Sequence, residues 1–142
     1  MNGSRAAQEA ARAYSGAMGS LSEEQTAKVV ALAMDLARAG ETTELLEFID
    51  RGLPIDVQDS EGNTMLMLAA YRGNLATVQA LIERGANVDL PNSRNQSPIA
   101  GALFKGEEDI VRALREAGAD LDAGTPSARE TAQMFGRAHL LE

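Results

Sequence analysis

The chain has 142 residues, enough for about one domain, and carries 21 acidic against 13 basic residues, a formal charge of −8. Because this excess of negative charge repels phosphate backbones, nucleic acid is excluded as a default partner. The sequence has no cysteine and one histidine, which excludes disulfides, thiolate catalysis and zinc sites built from several such ligands.

The N-terminal extension, residues 1–21, is alanine-rich and interrupted by charges, so it lacks the apolar run of a signal peptide. Alanines at positions 6, 10, 13 and 17 predict a weakly amphipathic helix that packs on the domain behind it, with a disordered tail as the alternative. No span of the chain approaches the ~18 to 20 consecutive apolar residues of a membrane helix. We therefore expect a soluble, cytoplasmic protein without a membrane partner.

The next predicted helix begins at a capping box, in which Ser22 is followed three residues later by Gln25. Its pattern continues to about Ala39, and Gly40 follows as a residue able to end the helix. Ser22 is therefore the first residue of the main domain, which we assign to residues 22–142.

From Thr26 onward the sequence repeats with a period of 33 residues. The loop GANVD at 85–89 returns as GADLD at 118–122. Such a fixed period is the signature of a repeat architecture. When the repeats are aligned, residues at equivalent positions form columns. Glycines recur in two of these columns: the first contains Gly40, Gly73 and Gly106, and the second contains Gly52, Gly85 and Gly118. The predicted repeats are 26–58, 59–91 and 92–124, followed by a truncated capping repeat, 125–142.

Each repeat is predicted to form two short helices. Thr64 and Ser97 are placed to cap the first helix, and Gly73 can adopt the left-handed conformation that ends it. A second helix follows with apolar residues at i, i+3 and i+4 spacing, and Gly85 ends it. The alternating ANVDL at 86–90 predicts a brief extended hairpin. Two such helices cannot form a core alone, so the repeats must stack.

The stretch DSEGNTMLMLAAYRGNLATVQALIERGANVDL at 59–90 resembles the ankyrin repeat, which has the pattern T-P-L-H-x-A, a mid-repeat glycine and G-A-D-V-N. The resemblance covers about residues 28–142. It implies an all-α solenoid of stacked helix-turn-helix units with short hairpin loops, here with an extra N-terminal helix. Met65 and Met67 replace the proline and histidine of the pattern, and Ala100 replaces the histidine one repeat later. Loss of that histidine removes a polar link between adjacent turns, so we expect looser hairpins.

The C-terminal segment resembles a shortened repeat, because Ala132 and Gly136 keep the spacing of the family. A terminal repeat must shield the apolar layer from water on one side. We expect Met134 or Phe135, together with Leu140, to cap the core.

Candidate catalytic groups are few. His139 is the single histidine, and the acidic residues of 107–109 and 23–24 fall in first helical turns, where carboxylates favour the helix dipole. No glycine-rich loop follows a strand and opens a helix, so phosphate-binding motifs are missing. We expect no enzymatic activity, no cofactor and no metal site.

The resemblance also implies a binding surface, since partners of ankyrin proteins lie against the hairpin tips and the exposed ends of the first helices. Carried over by column, the hairpin positions are Gln58, Ser60, Glu61, Asn63, Ser93, Arg94 and Gln96, and the helix positions are Arg38, Tyr71, Arg72, Phe104 and Lys105. Two aromatics in one column and two basic residues in the next are the residue types enriched at interface hot spots.

Two interpretations of these residues stay open. Tyr71 and Phe104 either contact a partner or pack between neighbouring helices, with the basic side chains merely solvated near helix C-termini. For the whole chain we expect a non-enzymatic protein–protein interaction module that binds an unknown protein as a monomer. The alternative is a self-associating structural or regulatory subunit, a homodimer.

Overall fold

The computed structural model describes residues 21–142, and the predicted N-terminal helix lies outside the described residues. Within this part the chain forms seven α-helices, one 3-10 helix and no strand. The predicted all-α architecture is therefore confirmed. The helices are α1 Glu23–Ala39, α2 Thr42–Asp50, α3 Met65–Tyr71, α4 Leu75–Glu83, α5 Pro98–Lys105, α6 Glu108–Glu116 and α7 Ala128–Met134, followed by the 3-10 helix Ala138–Leu141.

The helices form two layers. Helices α1, α3, α5 and α7 pack side by side in an inner layer, and α2, α4, α6 and the 3-10 helix pack behind them in an outer layer. Each inner helix also contacts the outer helix that follows it in the chain. Residues 33 positions apart therefore take equivalent places in successive helix pairs.

The ends of the inner helices follow the sequence signals. Ser22 and Gln25 form both bonds of the capping box, and the hydroxyl of Thr64 accepts a hydrogen bond from the Met67 N–H at 3.1 Å. Gly40 and Gly106 end α1 and α5 with φ of 73° and 75°, the left-handed region that side chains other than glycine rarely adopt. The predicted starts and ends of these helices are thus confirmed.

The core lies between consecutive helix pairs and runs through the stack. Small residues such as Ala33, Ala69 and Ala102 are fully buried in the inner layer, where they let the helices approach closely. The larger buried side chains are Met34, Leu45, Phe48, Leu53, Met65, Leu66, Val78, Leu81, Ile99, Leu103, Ile110 and Leu114. Because each pair supplies only part of this layer, its burial depends on the pairs beside it.

The loops that follow the outer helices are joined by carboxylate-to-backbone hydrogen bonds. Asp56 Oδ1 accepts from the Asn87 N–H at 2.9 Å, and one repeat later Asp89 Oδ1 accepts from the Asp120 N–H at 2.8 Å. The extended hairpin predicted at 86–90 is not found there: Val88 and Asp89 lie in a turn, in which the Asp89 N–H donates to Asn87 Oδ1 at 3.0 Å. Within the described part of the chain, the isolated antiparallel bridge pairs Gln58 with Thr64.

Two hairpins, residues 58–64 and 91–97, project between the helix pairs, each closed by a backbone hydrogen bond, Asp59 N–H to the Asn63 carbonyl and Asn92 N–H to the Gln96 carbonyl. Asparagine side chains link the tips of these hairpins. Asn92 is buried, its oxygen accepts from the Arg94 and Gln96 N–H groups at 3.0 Å each, and its amide donates to Asn63 Oδ1 at 3.1 Å. The Ser93 N–H also donates to the Glu61 carbonyl at 2.9 Å. A polar link between adjacent hairpins is therefore present without the family's histidine.

The C-terminal cap differs from the prediction. Ala128 and Ala132 are buried and Leu140 packs against the core, but Met134 and Phe135 are 65% and 42% exposed. The prediction that Met134 or Phe135 caps the core is wrong. The reason is the register of α7. Gly136 is equivalent to Gly106, so Met134 is equivalent to Phe104 and lies on the inner face.

One column of side chains caps the C-terminal ends of neighbouring inner helices. Asn74 Nδ2 donates to the carbonyls of Ala37 and Arg38 in α1, at 2.9 Å each. Arg137 Nη1 donates in the same way to the carbonyls of Leu103 and Phe104 in α5, at 3.0 and 2.9 Å. These donors add hydrogen bonds to carbonyl groups of the last helical turn, where intrahelical partners run out. Of these carbonyls, those of Ala37 and Leu103 also accept from the N–H of Gly40 and Gly106, at 3.3 and 3.1 Å.

Glu107 occupies the same column next to α3 but cannot act in the same way. A Cβ added at Gly73 would lie 2.8 Å from Glu107 Oε2, so the carboxylate sits against the end of α3. A carboxylate has no N–H to donate to carbonyl groups, and negative charge is unfavourable at a helix C-terminus. Of the three equivalent residues Asn74, Glu107 and Arg137, Glu107 is therefore the one that is poorly suited to the helix end beside it.

We predict that Glu107→Asn raises the free energy of unfolding by about 0.5–1.5 kcal/mol, because the amide can donate to the end of α3 as Asn74 does to α1. Urea denaturation followed by circular dichroism measures the change. Glu108→Asn is the control, since it removes an equal charge one residue further along, from a side chain that pairs with Arg112 at 3.4 Å. An equal gain in both variants would show general relief of negative charge and would contradict the capping account.

Candidate functional site

The inner helices and the hairpin tips enclose an open groove of about 720 Å³. This volume lies within the roughly 300–1,000 Å³ of typical ligand-binding clefts. All four inner helices contribute to it. The residues along it are Arg38, Glu61, Asn63, Met67, Leu68, Tyr71, Arg72, Asn92, Arg94, Gln96, Ser97, Ala100, Gly101, Phe104, Pro126, Thr131, Met134 and Phe135.

A row of three aromatic rings follows one side of the groove. The rings of Tyr71 and Phe104 are nearly parallel, with centroids 6.3 Å apart and an angle of 8°, and Phe135 meets Phe104 edge-on at 5.1 Å and 85°. Tyr71 is 39% exposed and Phe104 is 46% exposed. The rings thus support one another and still present apolar surface to solvent, which places Tyr71 and Phe104 outside the core.

Cations lie over the two outer rings of this row. Lys105 Nζ is 4.8 Å from the centroid of the Tyr71 ring, and the Arg137 guanidinium is 5.8 Å from that of Phe135. At exposed sites such contacts contribute about 0.5–1 kcal/mol each. Because Arg137 also caps α5, it fixes the end of the row to the helix beneath it.

The charge of the groove is opposite to that of the whole chain. Three of the lining residues are arginines, and one, Glu61, is acidic. Arg38 pairs with Asp35 at 2.8 Å, whereas no carboxylate in residues 21–142 lies within ion-pair distance of Arg72 or Arg94. Two arginines therefore face the groove without an acidic partner from the described chain.

Most of the residues predicted for binding come together here. Asn63 is buried and engaged with Asn92, and Gln58 donates to the Gly62 and Pro91 carbonyls at 2.9 and 3.2 Å. The predicted residues that line the groove are Arg38, Glu61, Asn63, Tyr71, Arg72, Arg94, Gln96 and Phe104. Lys105 lies above Tyr71, Ser93 is exposed on its hairpin, and Gln58 and Ser60 line a second depression of about 510 Å³ beside α1.

Sequence reasoning missed several groove residues, among them Met67, Met134 and Phe135, and one support, Arg137. The sequence predicts Met134 or Phe135 as part of the core, and it marks Met67 only as a departure from the family pattern. Aligning Gly136 with Gly106 would have placed Met134 beside Phe104. Arg137 follows Gly136 as Asn74 follows Gly73, so the two residues are equivalent in the aligned repeats. Once Asn74 is known to cap a helix, this alignment predicts the same role for Arg137.

The other candidate groups remain apart. His139 is exposed, and Glu108 and Asp109 pair with Arg112 within their own helix. In the described residues no three His, Cys, Asp or Glu side chains are grouped so that they could hold a metal ion. None of the helices from α1 onward combines the length and apolar character needed to cross a bilayer.

The sequence matches the family model for ankyrin repeats (3 copies) over residues 33–125, which is more than half of the chain. The chain belongs to the ankyrin repeat family. It is also similar to an ankyrin repeat protein of Pseudomonas aeruginosa, with 36% identity over 55 residues, a stretch that covers 39% of this chain and 32% of that protein. The chain thus matches about a third of that relative's length. Ankyrin repeats are generally protein–protein interaction modules, which agrees with the coarse function expected from the sequence.

The exposure of the ankyrin stack's aromatic row predicts a small stability effect. Phe104→Ala should lower the free energy of unfolding by less than about 1.5 kcal/mol, because the ring is nearly half exposed. Phe48→Ala, at a fully buried ring, should cost about 3–5 kcal/mol. Urea denaturation of both variants and of the wild type provides the comparison. Equal losses in the two variants would show that Phe104 belongs to the core.

Proposed function

We propose that this ankyrin stack binds a partner protein through its groove and hairpin tips, and that it acts by binding rather than by catalysis. The observation that carries the proposal is the row of exposed rings of Tyr71, Phe104 and Phe135 along the groove. Aromatic side chains and arginine dominate interface hot spots, because they remove much surface from water when they are covered.

The contacts that hold the aromatic rings in place also favour a role in binding. Phe104 and Phe135 are held edge-on, and Arg137 joins both the Phe135 ring and the end of α5. A surface that is fixed before association loses little conformational entropy on binding. Hence the rings can anchor a partner without first being ordered.

The proposed contact residues are those inferred from the family columns, with the rings as anchors. The hairpin residues Glu61, Arg94 and Gln96 line the groove as a polar rim, and Arg38, Arg72 and Lys105 supply charge beside the rings. Ser93 lies on the same hairpin as Arg94, and Ser60 faces the second depression beside α1. Gln58 and Asn63 hold the hairpins in place through their hydrogen bonds. We add Met134 and Phe135 to this set because both line the groove.

Site-specific photo-crosslinking tests the proposal. With p-benzoylphenylalanine at position 104, irradiation in a lysate of the source cells should give a discrete adduct that mass spectrometry identifies. The control carries the same residue at position 79, where Gln79 is exposed on the outer helix α4. An adduct at 104 and not at 79 is the expected result.

Three results would count against it. No adduct at 104, or the same adducts at both positions, would remove the groove as the binding surface. An adduct made of two copies of this chain would replace the proposal with the homodimer.

A further inference from the structure

Two of the three groove arginines differ from several other cations of the described chain in having no carboxylate within ion-pair distance. Away from the groove several cations are paired, as in Arg84 with Asp50 at 2.6 Å and Arg129 with Asp122 at 3.0 Å. Arg112 pairs with two carboxylates of its own helix. Arg72 and Arg94, in contrast, line the groove without such a partner in residues 21–142.

This arrangement makes a locally positive groove on an acidic protein. The chain as a whole carries −8, so a long polyanion is repelled at a distance. A short acidic segment meets mainly the nearby charges, because at physiological ionic strength the potential decays over about 8 Å. The charge pattern thus favours a short anionic segment and disfavours a basic one.

The apolar part of the groove lies within the same lining. Met67, Leu68 and Met134 line the groove together with the rings of Tyr71 and Phe104. Among the described residues Met134, at 65%, is the most exposed large apolar side chain, and methionine adapts its shape to varied apolar partners. An apolar side chain can therefore be covered at the row while groups next to it reach the arginines.

We propose that the groove recognises an acidic peptide segment of the partner, with an aromatic or long aliphatic side chain on the row of Tyr71, Phe104 and Phe135 and flanking carboxylates on Arg72 and Arg94. This inference rests on the proposed function and specifies the chemistry of the partner. The arginine forks suit carboxylates, since guanidinium donates parallel N–H groups to both oxygens. The rings supply most of the affinity, and the arginines select for charge.

Fluorescence anisotropy with synthetic peptides tests the inference on the full chain. The probes are short fluorescein-labelled peptides with a central phenylalanine flanked on both sides by glutamate, by glutamine or by lysine. The glutamate peptide should bind at least about tenfold more tightly than the lysine peptide. A fourth peptide, with alanine in place of phenylalanine between the glutamates, should bind about thirtyfold more weakly, as expected for loss of an anchor.

Matched variants assign the charge preference to the groove. Arg72→Gln with Arg94→Gln should remove the preference for glutamate over glutamine. Arg112→Gln with Arg129→Gln changes the net charge equally at two residues that do not line the groove, and it should leave the preference in place. Raising the salt concentration should weaken the binding of the glutamate peptide far more than that of the glutamine peptide, because salt screens exposed charges.

Equal binding of the glutamate and lysine peptides, absence of binding to all of them, or an unchanged preference in the groove variant would each overturn the inference. These outcomes leave the proposed function standing if position 104 still forms a specific adduct in the lysate. Failure of the adduct together with failure of the peptides removes both.

Discussion

Burial between consecutive helix pairs is the constraint on which the rest of this structure depends. Each pair presents apolar side chains on two sides, and residues such as Leu66 and Leu103 lose contact with water only because another pair lies against them. Short helices of 7–9 residues, as in α3 to α7, would be marginal alone. Both sequence and fold therefore repeat: the same apolar columns recur because the same surface has to be covered each time. The last pair meets this requirement differently, with a shortened loop and the partly buried leucines of the 3-10 helix.

The groove is a consequence of this packing. Stacking fixes the distance between inner helices, and columns of equivalent side chains therefore become continuous rows. The rings of Tyr71 and Phe104 lie 6.3 Å apart because they occupy one column in adjacent helices. Polar contacts hold the walls: Asn92 joins two hairpins, and Arg137 joins the cap to α5. A rigid inner face with exposed rings follows from repetition, without any loop that has to order on binding. Within residues 21–142, Arg72 and Arg94 line this face without a carboxylate partner.

Much of the fold could be predicted because its determinants are local. Glycines at positions 40 and 106 take the left-handed conformation, and Thr64 caps its helix, since these choices depend on a few neighbouring atoms. The site was predictable only in part. Column position indicated Tyr71 and Phe104, but whether a ring is buried depends on the neighbouring helix, which the sequence of one repeat does not specify. The prediction that Met134 or Phe135 caps the core fails because apolar character alone does not distinguish a residue of the cap from one that lines the groove. The asparagine links between hairpins depend on pairs of side chains 29 residues apart, and a histidine-based family pattern gave no signal for them.

The central claim is that each helix pair is stabilised by its neighbours. Residue-resolved hydrogen exchange of the full chain carrying Leu66→Ala tests it most directly. Leu66 is buried in α3, and the substitution should cost about 2–5 kcal/mol. If burial is shared, amide protection will fall in α3 and α4 and also in the pairs on both sides, α1 with α2 and α5 with α6. Loss of protection confined to α3 and α4, with the flanking pairs unchanged, would show that the pairs are stable independently and would contradict the account.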